Sequence, residues 1–223
     1  MKRFFVFIKM FFVLPTMFFS RKRAKEEPLL ERIQLTKIWV KYILNNAAVK
    51  VKVQNTNLIP LEDGYTFISN HESKYDGHLL LAANPLNFSF FVNAHEHLPY
   101  MTPYLELIDS YRYNIDSRDD YLIGMSQNLN QHKNFHLFLE DLDHQALSSS
   151  QLDAAYISKT AIIPVAIKNS KSFMKFGHHH IGVTYCTPLH YEEYGTLSAE
   201  ETLKEIRTRI EIELKQGESH EIS

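Results

Sequence analysis

Short apolar or β-branched runs recur along the chain, and the stretches between them read as helices or loops. The strand candidates are 49–53, 65–69, 88–93, 111–115, 135–139, 161–167 and 180–186; segments 76–83, 100–109, 119–132 and 152–159 lie between them. Strands alternating with helices need crossover connections, which predicts an α/β fold with a mixed, largely parallel sheet flanked by helices. A chain of 223 residues with 44% hydrophobic content can bury one such core, with appendages. The predicted divisions are a segment over 1–25, an N-terminal helix over 26–48 and the α/β domain over 49–223.

Two helices have readable ends. Pro28 suits the start of a helix that carries Leu29, Leu30, Ile33, Ile38, Trp39, Ile43 and Leu44. Near the other terminus, "SAEETLKEIRTRIEIELK" offers Ser198 and Glu201 as a capping box, and Leu203, Ile206, Ile210 and Leu214 as one apolar stripe.

Charge is distributed unevenly. Residues 1–25 carry a net +7, whereas the remainder carries −9. Within the basic head lies "FFVFIKMFFVLPTMFF" (residues 4–19), shorter than the roughly 20 residues of a spanning helix and interrupted by Lys9 and Pro15. Lys2, Lys9, Thr16 and Arg23 fall near one helical face. An unbroken aromatic run beside basic residues fits an anionic lipid surface better than nucleic acid. The expectation is a membrane-associating helix lying in the interface; a spanning helix and a cleaved signal are the alternatives. Cys186 is the only cysteine, so no intrachain disulfide exists, and its setting "VTYCTP" reads as core.

A polar cluster follows one of the strand candidates. In "TFISNHESKYDGHLL" (66–80) the apolar run delivers Asn70, His71, Ser73 and Asp76 just past its end, where α/β proteins place their chemistry. Five residues on a regular helix are far out of register, so His71 and Asp76 meet only if His71 stands in the turn and Asp76 in the first helical turn. A carboxylate there orients the imidazole and makes His71 a usable general base. The unrelated-pair alternative is a surface histidine with a distant acid. The same spacing recurs at His136 and Asp141, but His136 sits inside "NFHLFLE" and reads as strand packing.

"SNHESKYD" resembles the Asn-His-x4-Asp signature of the glycerolipid acyltransferases, the family of 1-acyl-sn-glycerol-3-phosphate acyltransferase. Ser73 and Tyr75 fit the family's usual form. Three further blocks follow in order. "NIDSRD" is similar to the second, with Ser117 between Asp116 and Arg118. "LFLEDLDH" occupies the third, where the family has Phe-Pro-Glu-Gly-x-Arg; Phe138 and Glu140 match, while Leu139, Asp141 and Asp143 replace the proline, glycine and arginine. "IIPVAI" is similar to the fourth.

The resemblance implies a glycerol-phosphate acyltransferase-like fold on the cytoplasmic face of the cell membrane, peripheral or monotopic. It implies acyl transfer from acyl-CoA or acyl-ACP to a lysophospholipid, with neither metal nor cofactor. His71 and Asp76 would be catalytic, and Asn70, Ser73, Arg118 and Glu140 would bind substrate. Backbone N–H groups near His71 or in the third block would stabilise the oxyanion, and residues 86–105 would help line an acyl groove. An aspartate in place of the third-block arginine opposes a phosphomonoester. A different acceptor, and a lapsed lipid-binding relative, therefore stay open. "GHHHIG" (His178 to His180) suggests a metal-dependent hydrolase instead, although adjacent histidines alternate faces on a strand. His95, Glu96 and His97 have a possible substrate-side role.

Overall fold

The computed structural model describes residues 22–61, 64–93, 101–113, 118–140, 149–173, 175 and 179–219. Residues 1–21 of the basic head, as well as His95, Glu96, His97, Asp116, Asp141, Asp143 and His178, lie outside the described residues. All the predicted strands form, within two residues of their expected ends: β1 (Val49–Gln54), β2 (Thr66–Ser69), β3 (Phe88–Asn93), β4 (Tyr111–Tyr113), β5 (Asn134–Phe138), β6 (Ile162–Lys168) and β7 (His179–Tyr185). They make a seven-stranded sheet in the order β1-β7-β6-β2-β5-β3-β4. β6, β2, β5, β3 and β4 run parallel; β7 pairs antiparallel with β6, and β1 follows β7 in parallel. The sheet is therefore mixed and largely parallel, as the spacing of the runs requires.

Helices cover both faces. They are α1 (Leu29–Asn46), α2 (Asp76–Ala83), α3 (Thr102–Leu107), α4 (Arg118–Asn130), α5 (Asp153–Ser158), α6 (Tyr191–Tyr194) and α7 (Ala199–Ser219). The central strands β2, β5 and β6 are buried almost throughout, which is the apolar continuity that a sheet covered on both sides demands. Alternate residues divide the core. Phe67, Ile163, Val165, Ile181 and Val183 face α1 and α2, whereas Ile68, Leu137, Ile162 and Ala166 face Ile206 and Ile210 of α7.

The readable helix ends form as expected. Pro28 stands at the N-cap of α1. Ser198 N–H donates to Glu201 Oε2 at 2.8 Å, and Glu201 N–H donates back to Ser198 Oγ at 3.2 Å. Cys186 is buried in the core, and burial pushes its thiol up to about 12. α6 was not anticipated, because the four-residue "YEEY" is too short to show a period; His190 and Glu193 cap it. On α1, Ile33, Val40, Ile43 and Leu44 are buried, but Leu30, Ile38 and Tyr42 are exposed on one face, four or eight residues apart.

α1 is fastened to α2 by a buried lysine. Lys37 Nζ donates to the carbonyls of Asn84 at 3.1 Å and Leu86 at 2.7 Å, just where α2 ends. Burial, with Lys41 nearby, pulls the ammonium down from 10.5 to about 8. The unfolded chain keeps that proton up to its ordinary value, so the folded state binds fewer protons between these two limits. Stability should therefore rise with pH across this window through Lys37. Lys37→Met should cost about 2 kcal/mol at neutral pH, by leaving both carbonyls without a charged donor. The difference between wild-type and variant urea midpoints should then widen from pH 8 to 10. A flat difference would remove the lysine's titration from this account.

Candidate active site

Every element of the site hangs on the C-terminal end of β2. After Ser69 the chain leaves the sheet, turns through residues 70–75 and enters α2 at Asp76. An acid in the first turn complements the positive end of the helix dipole. His71 and Asp76 meet as the spacing argument requires. Nδ1 of His71 lies 2.7 Å from Asp76 Oδ2, and the two side chains are only 5% and 0% exposed. An ionised carboxylate accepts only, so Nδ1 donates, and on a neutral ring Nε2 keeps the lone pair. The imidazole also stacks on Phe138 of β5, with ring centroids 4.1 Å apart. The ring is thus clamped between a carboxylate and a phenyl ring.

Asp76 holds more than the histidine. Its Oδ2 also accepts the backbone N–H groups of Glu72 at 2.7 Å and Ser73 at 2.9 Å, while Oδ1 accepts the Ser73 hydroxyl at 3.0 Å. One carboxylate thus organises the whole turn. The commitment of these two N–H groups also removes them as oxyanion donors.

The turn is fastened to β6 and the segment after it. The Asn70 side chain behaves like a further strand residue: Nδ2 donates to Ile167 O at 2.9 Å, and Oδ1 accepts Ile167 N–H at 2.8 Å. Glu72 accepts Ser170 N–H at 3.1 Å; its carboxyl is raised above the ordinary range by burial, against that hydrogen bond. Tyr75 stacks on Phe173 at 4.2 Å. Ser170 and Phe173 were not legible beforehand, since nothing local marks them as partners of a turn about a hundred residues earlier.

Of the other expected site residues, Ser73 joins the pair through Asp76, and Asn70 is occupied with Ile167. Glu140 accepts Arg207 Nη1 of α7 at 3.0 Å, a cation brought from the far end of the chain. Arg118 opens α4; the placement of its side chain lies outside the described residues. His136 is strand packing, as expected. It is fully buried among Phe67, Phe88, Phe90 and Phe138, its Nε2 lies 2.9 Å from Ser69 Oγ, and burial pushes it down to about 3. His180 is exposed on β7, and no group of His, Cys, Asp or Glu among the described residues is arranged to hold a metal.

His71 and Lys74 line a cleft whose other walls are apolar. Phe90 and Val92 come from β3, Gly77 from α2, Leu105 from α3, and Met101 and Phe138 complete it. Gly77 permits the close approach here, because a Cβ on it would come within 2.7 Å of Met101 Cε. The expected groove residues 86–105 thus contribute to an apolar cleft that reaches the imidazole. A general base beside an apolar cleft can deprotonate a hydroxyl on a lipid-like molecule.

No protein-family profile and no curated protein matches the chain. Among solved structures, the fold is similar to the crystal structure of the 1-acyl-sn-glycerophosphate (LPA) acyltransferase PlsC from Thermotoga maritima. The TM-score is 0.71 at 16% identity, over 96% of this chain and 95% of that one. The two chains share an architecture over nearly their whole length.

Proposed function

We propose that this chain is an acyltransferase that moves a fatty acyl group from a thioester donor to the hydroxyl of a lysophospholipid. The observation that carries the reading is the His71–Asp76 pair, with Nδ1 tied to a buried carboxylate and the ring lining an apolar cleft. The shared architecture and the Asn-His-x4-Asp resemblance support it. The acceptor favoured is 1-acyl-sn-glycerol-3-phosphate, and the donor is acyl-CoA or acyl-ACP.

In this mechanism His71 Nε2 takes the proton of the acceptor hydroxyl as its oxygen attacks the thioester carbonyl. Asp76 offsets the positive charge that appears on the ring. The tetrahedral intermediate expels the thiolate, which recovers the proton from the imidazolium. The products are an ester and a free thiol, and no covalent enzyme intermediate is needed. A thioester is activated enough for a positioned base to suffice once water is excluded.

A membrane is the place where a lysophospholipid acceptor is met. No helix among the described residues is long and apolar enough to cross one. The basic, Phe-rich residues 1–25 and the exposed Leu30, Ile38 and Tyr42 of α1 support seating on a lipid surface instead. Purified protein, supplied with acyl-CoA or acyl-ACP and lysolipids in anionic vesicles, should yield a diacyl product by mass spectrometry. Removal of residues 1–25 should release it from the vesicles. No new ester with any donor and acceptor would sink the enzymatic reading and leave a lipid-binding protein. Turnover restricted to uncharged acceptors would replace the phosphate acceptor alone.

A further inference from the structure

β1, β7 and β6 lie side by side toward one end of the sheet, and their registers align Lys52, Gly182 and Lys168 in one row across the three strands. Residues directly opposed share a face. In the neighbouring rows Lys50 is opposite His180, and Gln54 is opposite Thr184. This face is the reverse of the one that packs on α1, since the alternate residues Val49, Ile181 and Val183 belong to the α1 core. Lys50, Lys52 and His180 are exposed. A Cβ added at Gly182 would meet only Lys168 Cβ, at 3.6 Å, so the row has a lysine on either side of a gap.

Lysines on an edge strand discourage strand-to-strand aggregation, and this accounts for Lys50 and Lys52 on β1. It does not account for Lys168, which lies on β6 between β7 and β2. Its Nζ is shielded from solvent and has no hydrogen-bond partner. Among the described residues, none of Lys50, Lys52, Lys168 and His180 is paired with an acid. A shielded ammonium without a counter-charge is costly, and the chain outside its first 25 residues is otherwise strongly acidic. A shielded ammonium with no acid beside it among the described residues suits an anion that arrives from outside.

We propose that the Lys52–Gly182–Lys168 row binds a phosphate group, namely the phosphate end of the thioester donor's carrier arm. The identity of the occupant rests on the acyltransferase reading; the anion site itself does not. Lys168 directly follows Ile167, whose N–H and carbonyl are held by Asn70, the neighbour of His71. The row therefore lies behind the catalytic edge of the sheet, while the apolar cleft belongs to the opposite face. A donor whose acyl group enters that cleft has to lead its hydrophilic arm away from it. Over the edge formed by residues 70–72 and 168–170, Lys168 of this row stands on the other face, next to the Ile167 that Asn70 holds.

The test is calorimetric titration of the full chain with coenzyme A, which needs no turnover. Lys52→Ala and Lys168→Met should each weaken binding about tenfold, and Gly182→Phe should weaken it by filling the gap without changing charge. Lys204→Ala, on exposed α7 surface, should have no effect. In turnover assays the first three variants should raise KM for acyl-CoA and leave kcat and the acceptor KM unchanged, with melting temperatures close to wild type. Failure of wild type to bind coenzyme A, or equal binding by all variants, overturns the site. So does a loss confined to vesicle binding, which would assign the row to lipid headgroups. Should coenzyme A bind through the row while no acceptor is acylated, the anion site stands and the acyltransferase reading falls.

Discussion

His71→Ala should lower acyl transfer by roughly 10²-fold or more, with the acceptor KM little changed, because the base acts only as the hydroxyl loses its proton. The substitution also removes the ring stacked on Phe138, so a modest loss of stability is expected beside the kinetic one. His71→Gln separates the two. It refills much of the space, and its amide N–H can reach Asp76, but it is no base at neutral pH. Activity should stay low in His71→Gln while stability recovers. Near-wild-type turnover in a folded His71→Gln protein would remove the mechanism.

Asp76→Ala should be the most damaging change to the fold of the site. The carboxylate is fully buried and accepts from His71, two backbone N–H groups and the Ser73 hydroxyl. Its loss strands all four donors around a fully buried carboxylate position, at a cost of about 3 kcal/mol or more. Asp76→Asn is not a mild version, since an amide replaces one accepting oxygen with a donor that faces these same groups. Both variants should lose activity, and urea unfolding should show the stability loss directly. A shift in midpoint no larger than that of a typical surface substitution would mean that the turn is held chiefly by Asn70 and Glu72.

These expectations show what a sequence discloses and where it stops. The sheet was legible because β-branched and aromatic runs at helix-length spacing admit few architectures. α7 was legible because Ser198, Glu201 and the stripe at 203, 206, 210 and 214 agree with one another. His71 and Asp76 could be matched because their partners are local, within a single turn. The ties of that turn to Ile167, Ser170 and Phe173 left no trace, since main-chain atoms and common residues make them. Glu140 illustrates the same limit. Its position was readable from the Phe138 and Glu140 match, but its partner Arg207 sits on the outer side of a helix with nothing to mark it. The stack of His71 on Phe138 was not legible for a related cause: it depends on which strand lies beside β2, and strand order is not written in local patterns.

The way Asn70 borrows the main chain of Ile167 has a consequence for the order in which this molecule can come to life. The two residues are 97 positions apart, and β2 is inserted between β5 and β6, both made later. On a ribosome the turn that carries His71 and Asp76 emerges long before the strand that holds it. A nascent chain that has not yet released β6 owns the histidine and the aspartate but has no frame to steady them. Long-range closure of this kind is a late and slow event in folding. The His71–Asp76 turn therefore assumes its final geometry only when nearly the whole sheet is complete, so that a half-made chain carries the pair without its frame.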